Sequence, residues 1–498
     1  MVENFFWADA LADKIIKERP NKNVYVCASG ITPSGKVHIG NFREVITTEM
    51  VVRALRDKGK DVKFIYSWDD FDRFRKVPKG VNPEYEKYIG MPVSDVPSPY
   101  DSNKTYAEYF EDVFEESLKN LGIEPHFIYQ HKMNKKCSYA ELIKVSIDNK
   151  DKIVSILNKY RKEPLNKNWM PFVIYCDKCK KDLTKIIDVN GYEISYECEC
   201  GFSETFDIRK KGIVSLRWRV DWPLRWKYEG VDFEPGGIDH SVFGGSFTTS
   251  KEISKEVFNH EPPIYQFYEW IGIKGGEEFA SSSGNALSVE EVEEIYEPEI
   301  LRYLFVGTKP KSKFQISFDN DVIKIYEDFD RLEEKYYNNT ANPQEKRMYE
   351  MSNIYYNKGK PKRIGFRHLV TLVQLNRLKD LEESELIRAQ KVKNWLEKYA
   401  QGDMKFIVQD KIEEVFDIKE KKALLELKNI LEKKQFLNEL ELFSEFQDIC
   451  KRIELDVSLF FQAAYRAIIR KNKGPKLAGL ILLIGQERII NLLKTLEN

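Results

Sequence analysis

The sequence predicts an α/β fold: a doubly wound parallel sheet carrying a small cysteine-rich insertion, followed by an all-α C-terminal region. Three observations carry this prediction. Apolar strand-like segments alternate with long helical stripes over the first 310 residues, the rhythm of strands joined by crossover helices. Two cysteine pairs interrupt that rhythm between positions 176 and 200. Beyond about Ser312 only three- and four-residue apolar spacing persists.

The first strand is Val24-Tyr25-Val26-Cys27, bounded by polar Asn21-Lys22-Asn23. It runs into the Gly/Pro/Ser-rich stretch from Ala28 to Asn41. Phe42, Val45, Ile46, Met50, Ala54 and Leu55 then mark a helix that opens near His38. At the carboxyl end of a parallel strand, a glycine-bearing turn and a helix N-terminus form a phosphate site, because the unpaired N–H groups of the first helical turn point at the anion. An ordinary Gly-rich connection has the same turn composition. A His and a third glycine in the first helical turn favour the nucleotide reading.

A second strand, Val62 to Ser67, ends in Trp68-Asp69-Asp70-Phe71-Asp72. Three acids at the same sheet edge suit a cationic substrate or a metal ion; the alternative is a solvated acidic loop paired with Arg73, Arg75 and Lys76. Residues 78–103 form a proline-rich surface loop. A helix then runs from Tyr106 through Leu118 to Gly122, a third strand spans His126–Tyr129, and a further helix extends from about Ser138 to Arg161.

Cys176-Asp177-Lys178-Cys179 and Cys198-Glu199-Cys200-Gly201 are separated by 18 residues, with Asn190-Gly191 marking a hairpin between them. Two thiol pairs on adjacent turns present four sulfurs tetrahedrally, the arrangement of a structural zinc ribbon with no open coordination position. The second pair is one residue tighter than the usual spacing. Cys27, Cys137 and Cys450 read as plain buried residues.

The alternation returns at Ile213–Pro223. Phe233 to Ser246 reads as a Gly-rich loop presenting Asp239-His240 and ending at a helix near Thr248. A fifth strand is predicted over Ile264–Ile273. Lys274-Gly275-Gly276 leads into the polar loop Glu277–Asn285, ahead of a helix at Val289.

Composition sets the outer bounds. Over 498 residues, 32% charged and 42% hydrophobic, the content is that of a soluble globular protein of two to four domains. No apolar run reaches the ~18 residues that span a bilayer, and the first nine residues lack the basic-then-apolar order of a signal peptide. Clustered cysteines suit a reducing compartment, so a cytoplasmic protein without membrane association is expected, acting as a monomer. The net charge of −1 hides an asymmetry: residues 351–498 hold 28 Lys+Arg against 21 Asp+Glu, a local +7. Local positive charge is what phosphate contacts need.

Taken together these pieces resemble the class I aminoacyl-tRNA synthetases, and among them the lysyl enzymes of the archaeal type, over essentially the whole chain. Pro33-Ser34-Gly35-Lys36-Val37-His38-Ile39-Gly40-Asn41 is similar to the class's His-Ile-Gly-His signature, with Asn41 at the second His. The lysyl type is indicated by Thr32-Pro33-Ser34-Gly35, Asp69-Asp70-Phe71-Asp72 with Arg75-Lys76-Val77-Pro78, Trp218-Arg219-Val220-Asp221-Trp222-Pro223, Asp239-His240 with Gly244-Gly245-Ser246, and Lys473-Gly474-Pro475-Lys476. The resemblance implies a Rossmann-like catalytic domain split over 1–165 and 206–310, a zinc-ribbon insertion at 166–205, a helical stem-contact connector at 311–350 and an anticodon-binding helical domain at 351–498. It implies ATP with Mg²⁺, L-lysine and tRNA(Lys) as partners, and lysyl transfer to the 2′-hydroxyl of the terminal adenosine.

It further assigns His38, Asn41 and Ser282 to catalysis. Pro33, Gly35, Gly40, Asp239 and Gly284 join these three as the ATP site, with Asp239 on the ribose. Gly30, Thr32, Asp72, Trp218, His240 and Tyr268 form the lysine pocket, with Asp69 and Asp70 as further acids. Cys176, Cys179, Cys198 and Cys200 hold one structural Zn²⁺. Some relatives bind a second zinc at loop 97–106 through Asp and His; here Asp95 and Asp101 are present without a His, which implies one zinc only. The second signature, Lys-Met-Ser-Lys-Ser, is altered. Glu278, Phe279 and Ala280 replace Lys-Met-Ser, Ser283 stands where many relatives carry a lysine, and Ser281, Ser282, Gly284 and Asn285 keep the lysyl pattern. Lys274 and Lys251 are the candidates to supply the missing phosphate-binding charge.

Two other readings compete: a class I synthetase for another amino acid such as glutamate, and a tRNA-binding paralogue with impaired activation chemistry. A glutamate pocket would want an arginine where this sequence offers acids. For anticodon contact the candidate basic runs are Lys358, Lys360, Lys362 and Arg363, and Arg470, Lys471, Lys473 and Lys476.

Overall fold

Five parallel strands build the central sheet in the computed structural model, which describes residues 6–275, 287–354 and 359–497. They are β1 (Val24–Ile31), β2 (Asp61–Trp68), β3 (His126–Tyr129), β4 (Phe233–Gly237) and β5 (Ile264–Tyr268), in the order β5-β4-β1-β2-β3. β1 and β2 run in register from Val24 beside Asp61 to Ile31 beside Trp68. Cys27 opposite Phe233 joins β1 to β4. Crossovers step away from β1 in both directions, so the strand order reverses there and a crevice opens at the carboxyl ends of β1 and β4.

The predicted helix after β1 forms as α1 (Ile39–Asp57), with His38 at its N-cap. Its apolar stripe is buried, and so are Thr47, Thr48, Val51 and Val52 around it, because α1 packs on more than one side. The predicted helix over residues 138–161 forms as two, Ala140–Asp148 and Lys150–Asn158.

Three parts of the middle differ from expectation. Phe233–Gly237, read as a loop, is a fully buried internal strand. Pro235 and two glycines disguise it, yet the glycines fit because a Cβ on Gly236 would lie 2.3 Å from the Tyr265 hydroxyl. Within Ile213–Pro223 only Val214–Leu216 is a strand, paired antiparallel with Phe172–Ile174. The remainder opens α2 (Trp218–Glu229), where at four-residue spacing Trp218 stacks on Trp222 (ring centroids 4.9 Å apart) and Trp226 packs tilted against Trp222 (5.0 Å). The strand predicted over Ile264–Ile273 breaks at Glu269-Trp270, and its second half pairs with Phe314–Ile316, a strand beyond Ser312 where only helices were expected. Arg43 of α1 fastens the break, donating to the carbonyls of Glu269 (2.6 Å), Lys309 (3.0 Å) and Ser312 (2.7 Å).

The cysteine-bearing insertion is a three-stranded antiparallel sheet, Thr184–Asn190, Glu193–Cys198 and Ser203–Asp207, with the predicted hairpin at Asn190-Gly191. It is tied to the segment that follows β2. Tyr175 donates to the Phe71 carbonyl (3.1 Å), the Asp182 N–H to the Gly90 carbonyl (2.8 Å), and Arg73 lies 3.3 Å from Asp182.

The chain divides into two units, Met1–Glu293 with Pro298–Ile316 and Asn338–Tyr356, and Glu294–Glu297 with Ser317–Tyr337 and Asn357–Asn498. The second is helical. One cluster centres on Tyr326, Phe366 and Trp395, with buried Arg388 paired to Glu297 (2.7 Å) and Asp330 (2.8 Å). The other packs the predicted stripes Leu424, Leu427 and Leu431 and Leu477, Leu480, Ile481 and Ile484 into one core. Most of the predicted basic runs are paired within this unit. Lys360 meets Glu334, Lys362 meets Glu382 (2.7 Å), Arg363 meets Glu297 (3.0 Å) and Glu333 (3.1 Å), and Arg470 meets Glu413 (2.5 Å). Lys358 lies outside the described residues. No helix among the described residues is long and apolar enough to cross a membrane.

Candidate active site

A cavity of about 490 Å³ opens at the carboxyl ends of β1, β2, β4 and β5. The residues assigned to lysine by resemblance, Gly30, Thr32, Asp72, Trp218, His240 and Tyr268, all line it. Of the nucleotide set, His38, Gly40, Asn41 and Asp239 line it and Pro33 and Gly35 do not. Ser282 and Gly284, with the whole altered second signature, lie outside the described residues.

The β1 turn is built so that backbone and side chains reach the cavity together. Gly30 is the next-to-last residue of β1, and a Cβ there would lie 2.5 Å from the Ser67 carbonyl oxygen on β2. Its N–H donates to Glu44 Oε1 of α1 (3.0 Å), whose Oε2 accepts from the Tyr268 hydroxyl (2.8 Å). Thr32 donates to Asp72 Oδ2 (2.9 Å), and Tyr106 holds the turn through the Ser34 carbonyl (3.0 Å).

At the α1 N-terminus the Asn41 N–H donates to His38 Nδ1 (3.3 Å). Burial pushes His38 down to about 4, so the ring is neutral at physiological pH. With Nδ1 accepting, the proton resides on Nε2, and the ring presents a fixed N–H donor. The far side of the first turn is pinned by the residues that follow the second signature. The Ile39 N–H donates to the Leu287 carbonyl (2.9 Å), and Lys36 pairs with Glu291 (3.3 Å).

Electrostatically the cavity is acidic. Seven acidic residues line it against two arginines, Arg75 and Arg225. Arg225 pairs with Asp69 and Asp221 and lies over the Trp218 ring. Glu234 receives two indole N–H groups, from Trp222 (3.0 Å) and Trp226 (2.6 Å). Withdrawal from water, the largest cause in each case, pushes Glu44 up to about 8, Glu234 to about 7, and Asp72 and Asp221 to about 6. Asp70 belongs to a different contact, paired with His131. Asp239, half-exposed at the rim, and His240 follow β4 in a single helical turn; the His240 ring centroid is 5.8 Å from that of Trp222.

Glu44, Glu234 and Arg225 were not among the predicted site residues. Glu44 falls one turn after Asn41 on the α1 face toward β1, the one signal that pointed to it. Glu234 was concealed in a stretch read as loop, and Arg225 in a helix not recognised as one.

The four cysteines come together in the insertion. Their sulfurs all lie within 4.8 Å of one another, with Cys176 Sγ 3.7 Å from Cys200 Sγ and Cys179 Sγ 3.6 Å from Cys198 Sγ. This spacing fits four thiolates around one ion.

The family described as tRNA synthetases class I (K) matches residues 5–355. The chain is 45% identical to a lysine–tRNA ligase of Borrelia garinii subsp. bavariensis, covering 97% of each chain. It is 39% identical to that of Treponema pallidum, with 99% of this chain and 98% of the relative covered. For the Pyrococcus horikoshii enzyme the identity is 38%, with 98% and 99% covered. With its acid-lined crevice at the switch point of a parallel sheet and these full-length relatives, the chain belongs to the class I (K) tRNA synthetases.

Proposed function

We propose that the protein is a cytoplasmic lysine–tRNA ligase. The observation that carries the choice of amino acid is the charge of the cavity: carboxyl groups outnumber cations there, and tryptophan and tyrosine faces stand beside them. A dicationic amino acid satisfies both features, whereas a glutamate side chain would meet repulsion.

In the first step the lysine carboxylate attacks the ATP α-phosphate, a C–O–P bond forms, and pyrophosphate leaves. His38 Nε2–H and the Asn41 side chain, at the positive end of a 19-residue helix, donate to oxygens that gain charge in the transition state. Gly40 gives the nucleotide close approach to α1, and Asp239 accepts the ribose hydroxyls. Thr32 and Glu44 hold Asp72, Tyr268 and the Gly30 N–H in fixed places around the amino acid. In the second step the terminal 2′-hydroxyl of tRNA attacks the activated carbonyl and AMP leaves. Mg²⁺, bound with ATP, supplies charge neutralisation at the phosphates.

Cys176, Cys179, Cys198 and Cys200 hold a structural Zn²⁺; four thiolates leave no position for a substrate. The C-terminal helical stretch, residues 351–498 with 28 Lys+Arg against 21 Asp+Glu, carries the anticodon contacts. Amino-acid-dependent pyrophosphate–ATP exchange is the test. Exchange with lysine supports this reading. Exchange with glutamate instead, or tRNA binding without any exchange, overturns it.

A further inference from the structure

A single helix occupies both oxygens of Glu234. This residue is the second of β4, buried, with Tyr265 of β5 beside it in register. Its Oε1 accepts from Trp222 Nε1 (3.0 Å) and its Oε2 from Trp226 Nε1 (2.6 Å), both carried by α2. Burial raises this carboxyl, and the two indole N–H groups, followed by the Arg225 charge, act against that rise. The carboxyl thus lines the cavity with its oxygens turned to tryptophan rather than left open.

The rings held in this way continue outward to the substrate. Trp222, 4% exposed, lies beneath the exposed Trp218, nearly parallel at 18° with centroids 4.9 Å apart. The His240 ring stands edge-on to Trp222 (5.8 Å) and tilted to Trp218 (6.4 Å). Phe247 packs against Trp222 (6.2 Å) and Trp226 (6.0 Å). Apolar packing alone lets a ring slide and tilt, whereas a bonded indole N–H fixes its plane. Trp222 is the ring whose plane is fixed and which also touches both Trp218 and His240.

We propose that Glu234 is a positioning residue for amino-acid recognition, fixing the plane of Trp222 and through it setting Trp218 and His240 against a cationic side chain. The inference rests on the lysine–tRNA ligase reading and deepens it: this acid acts on lysine through aromatic faces, not by contact. Only a carboxyl group serves two donors at this place. A glutamine has one acceptor oxygen, and its amide nitrogen would meet the second indole N–H, donor against donor. The shorter bond, to Trp226, keeps the oxygen, so Glu234→Gln releases Trp222.

The test is a double-mutant cycle between Glu234→Gln and Trp226→Phe in the full chain. Calorimetry reads lysine affinity, pyrophosphate–ATP exchange reads the rate at saturating lysine, and NMR reads the indole N–H signals. Glu234→Gln weakens lysine binding by about ten-fold, the order expected for one lost bond to a charged group, with the saturated rate within about two-fold. Its Trp222 signal moves to that of an unbonded N–H. Removing the Trp226 donor lets the amide oxygen turn to Trp222. Trp226→Phe combined with Glu234→Gln therefore binds lysine no more weakly than Trp226→Phe alone and recovers the Trp222 signal. A loss of the same size in the Trp226→Phe background means that Glu234 touches the ammonium itself, and overturns the proposal. Unchanged affinity in Glu234→Gln overturns it too. Where the Trp226 variants do not fold, Glu234→Gln decides alone: an unmoved Trp222 signal, or a saturated rate that falls as far as the affinity, overturns the proposal. Wild-type protein that binds no lysine refutes the parent reading, an outcome distinct from wild-type binding with an unaffected variant.

Discussion

Glu44→Gln isolates the charge that the lysine pocket must develop. Glu44 is enclosed by the Gly30 N–H and the Tyr268 hydroxyl, and burial raises its carboxyl to about 8. In the free protein at pH 6 it is therefore almost wholly protonated. A bound lysine ammonium favours the carboxylate, so binding expels a proton and affinity increases with pH. With a value of about 8, roughly one carboxyl in a hundred is ionised at pH 6 and about half at pH 8, which makes lysine bind roughly 50-fold more tightly at the higher pH, or about 2 kcal/mol. The sign for stability is opposite. A raised carboxyl favours folding fully below its unfolded value near 4.5, and that contribution is lost as pH rises through about 8. Alkaline pH thus destabilises the free protein while strengthening its grip on lysine. Calorimetric titration of lysine, in buffers of different ionisation enthalpy between pH 6 and 8, counts the released protons. Glu44→Gln keeps the shape and an acceptor but cannot ionise; it flattens the pH dependence between pH 6 and 8 and lowers the proton count. A variant with the wild-type slope and proton count would refute the reasoning.

His38→Ala reduces lysine-dependent pyrophosphate–ATP exchange by at least ~100-fold, the typical cost of one transition-state donor, while lysine affinity stays within about two-fold by calorimetry; an unchanged exchange rate removes His38 from that role. Gly30→Ala places a methyl group 2.5 Å from the Ser67 carbonyl oxygen, a backbone contact that cannot rotate away, so β1 and β2 separate locally and stability falls by about 1–3 kcal/mol in thermal unfolding with a raised KM for lysine. Elemental analysis of purified protein gives one zinc per chain, and Cys198→Ser lowers that ratio and sensitises residues 172–208 to proteolysis; full zinc retention in the variant contradicts four-cysteine ligation.

How much of this was readable in advance depended on the distance over which each feature is encoded. The β1–turn–α1 unit was legible because strand, glycines and helix stripe are contiguous and each obeys a local rule. The cysteine cluster was legible because ligand spacing and a hairpin turn lie in one stretch. β4 was not, since Pro235, Gly236 and Gly237 read as a loop, and only Tyr265 on the neighbouring strand explains the missing side chains. The tryptophan helix was hidden by Pro223 and by an apparent two-residue alternation; the four-residue spacing of Trp218, Trp222 and Trp226 was the stronger signal. Glu44 and Glu234 gain their character from burial between elements far apart in sequence. The motif, conversely, over-reached at Pro33 and Gly35, which shape the turn without lining the cavity. Arg363 looked like part of a solvated basic run, and two glutamates enclose it.

The ties between the cysteine-bearing insertion and the segment after β2 have a thermodynamic corollary. Tyr175, the residue before Cys176, holds the Phe71 carbonyl between Asp70 and Asp72, and Asp182 anchors both Arg73 and the Gly90 turn. These contacts join the cysteine cluster to the acids at the edge of the sheet. Were an ion at the sulfurs to change amino-acid affinity by some factor, the amino acid would change the affinity for the ion by the same factor.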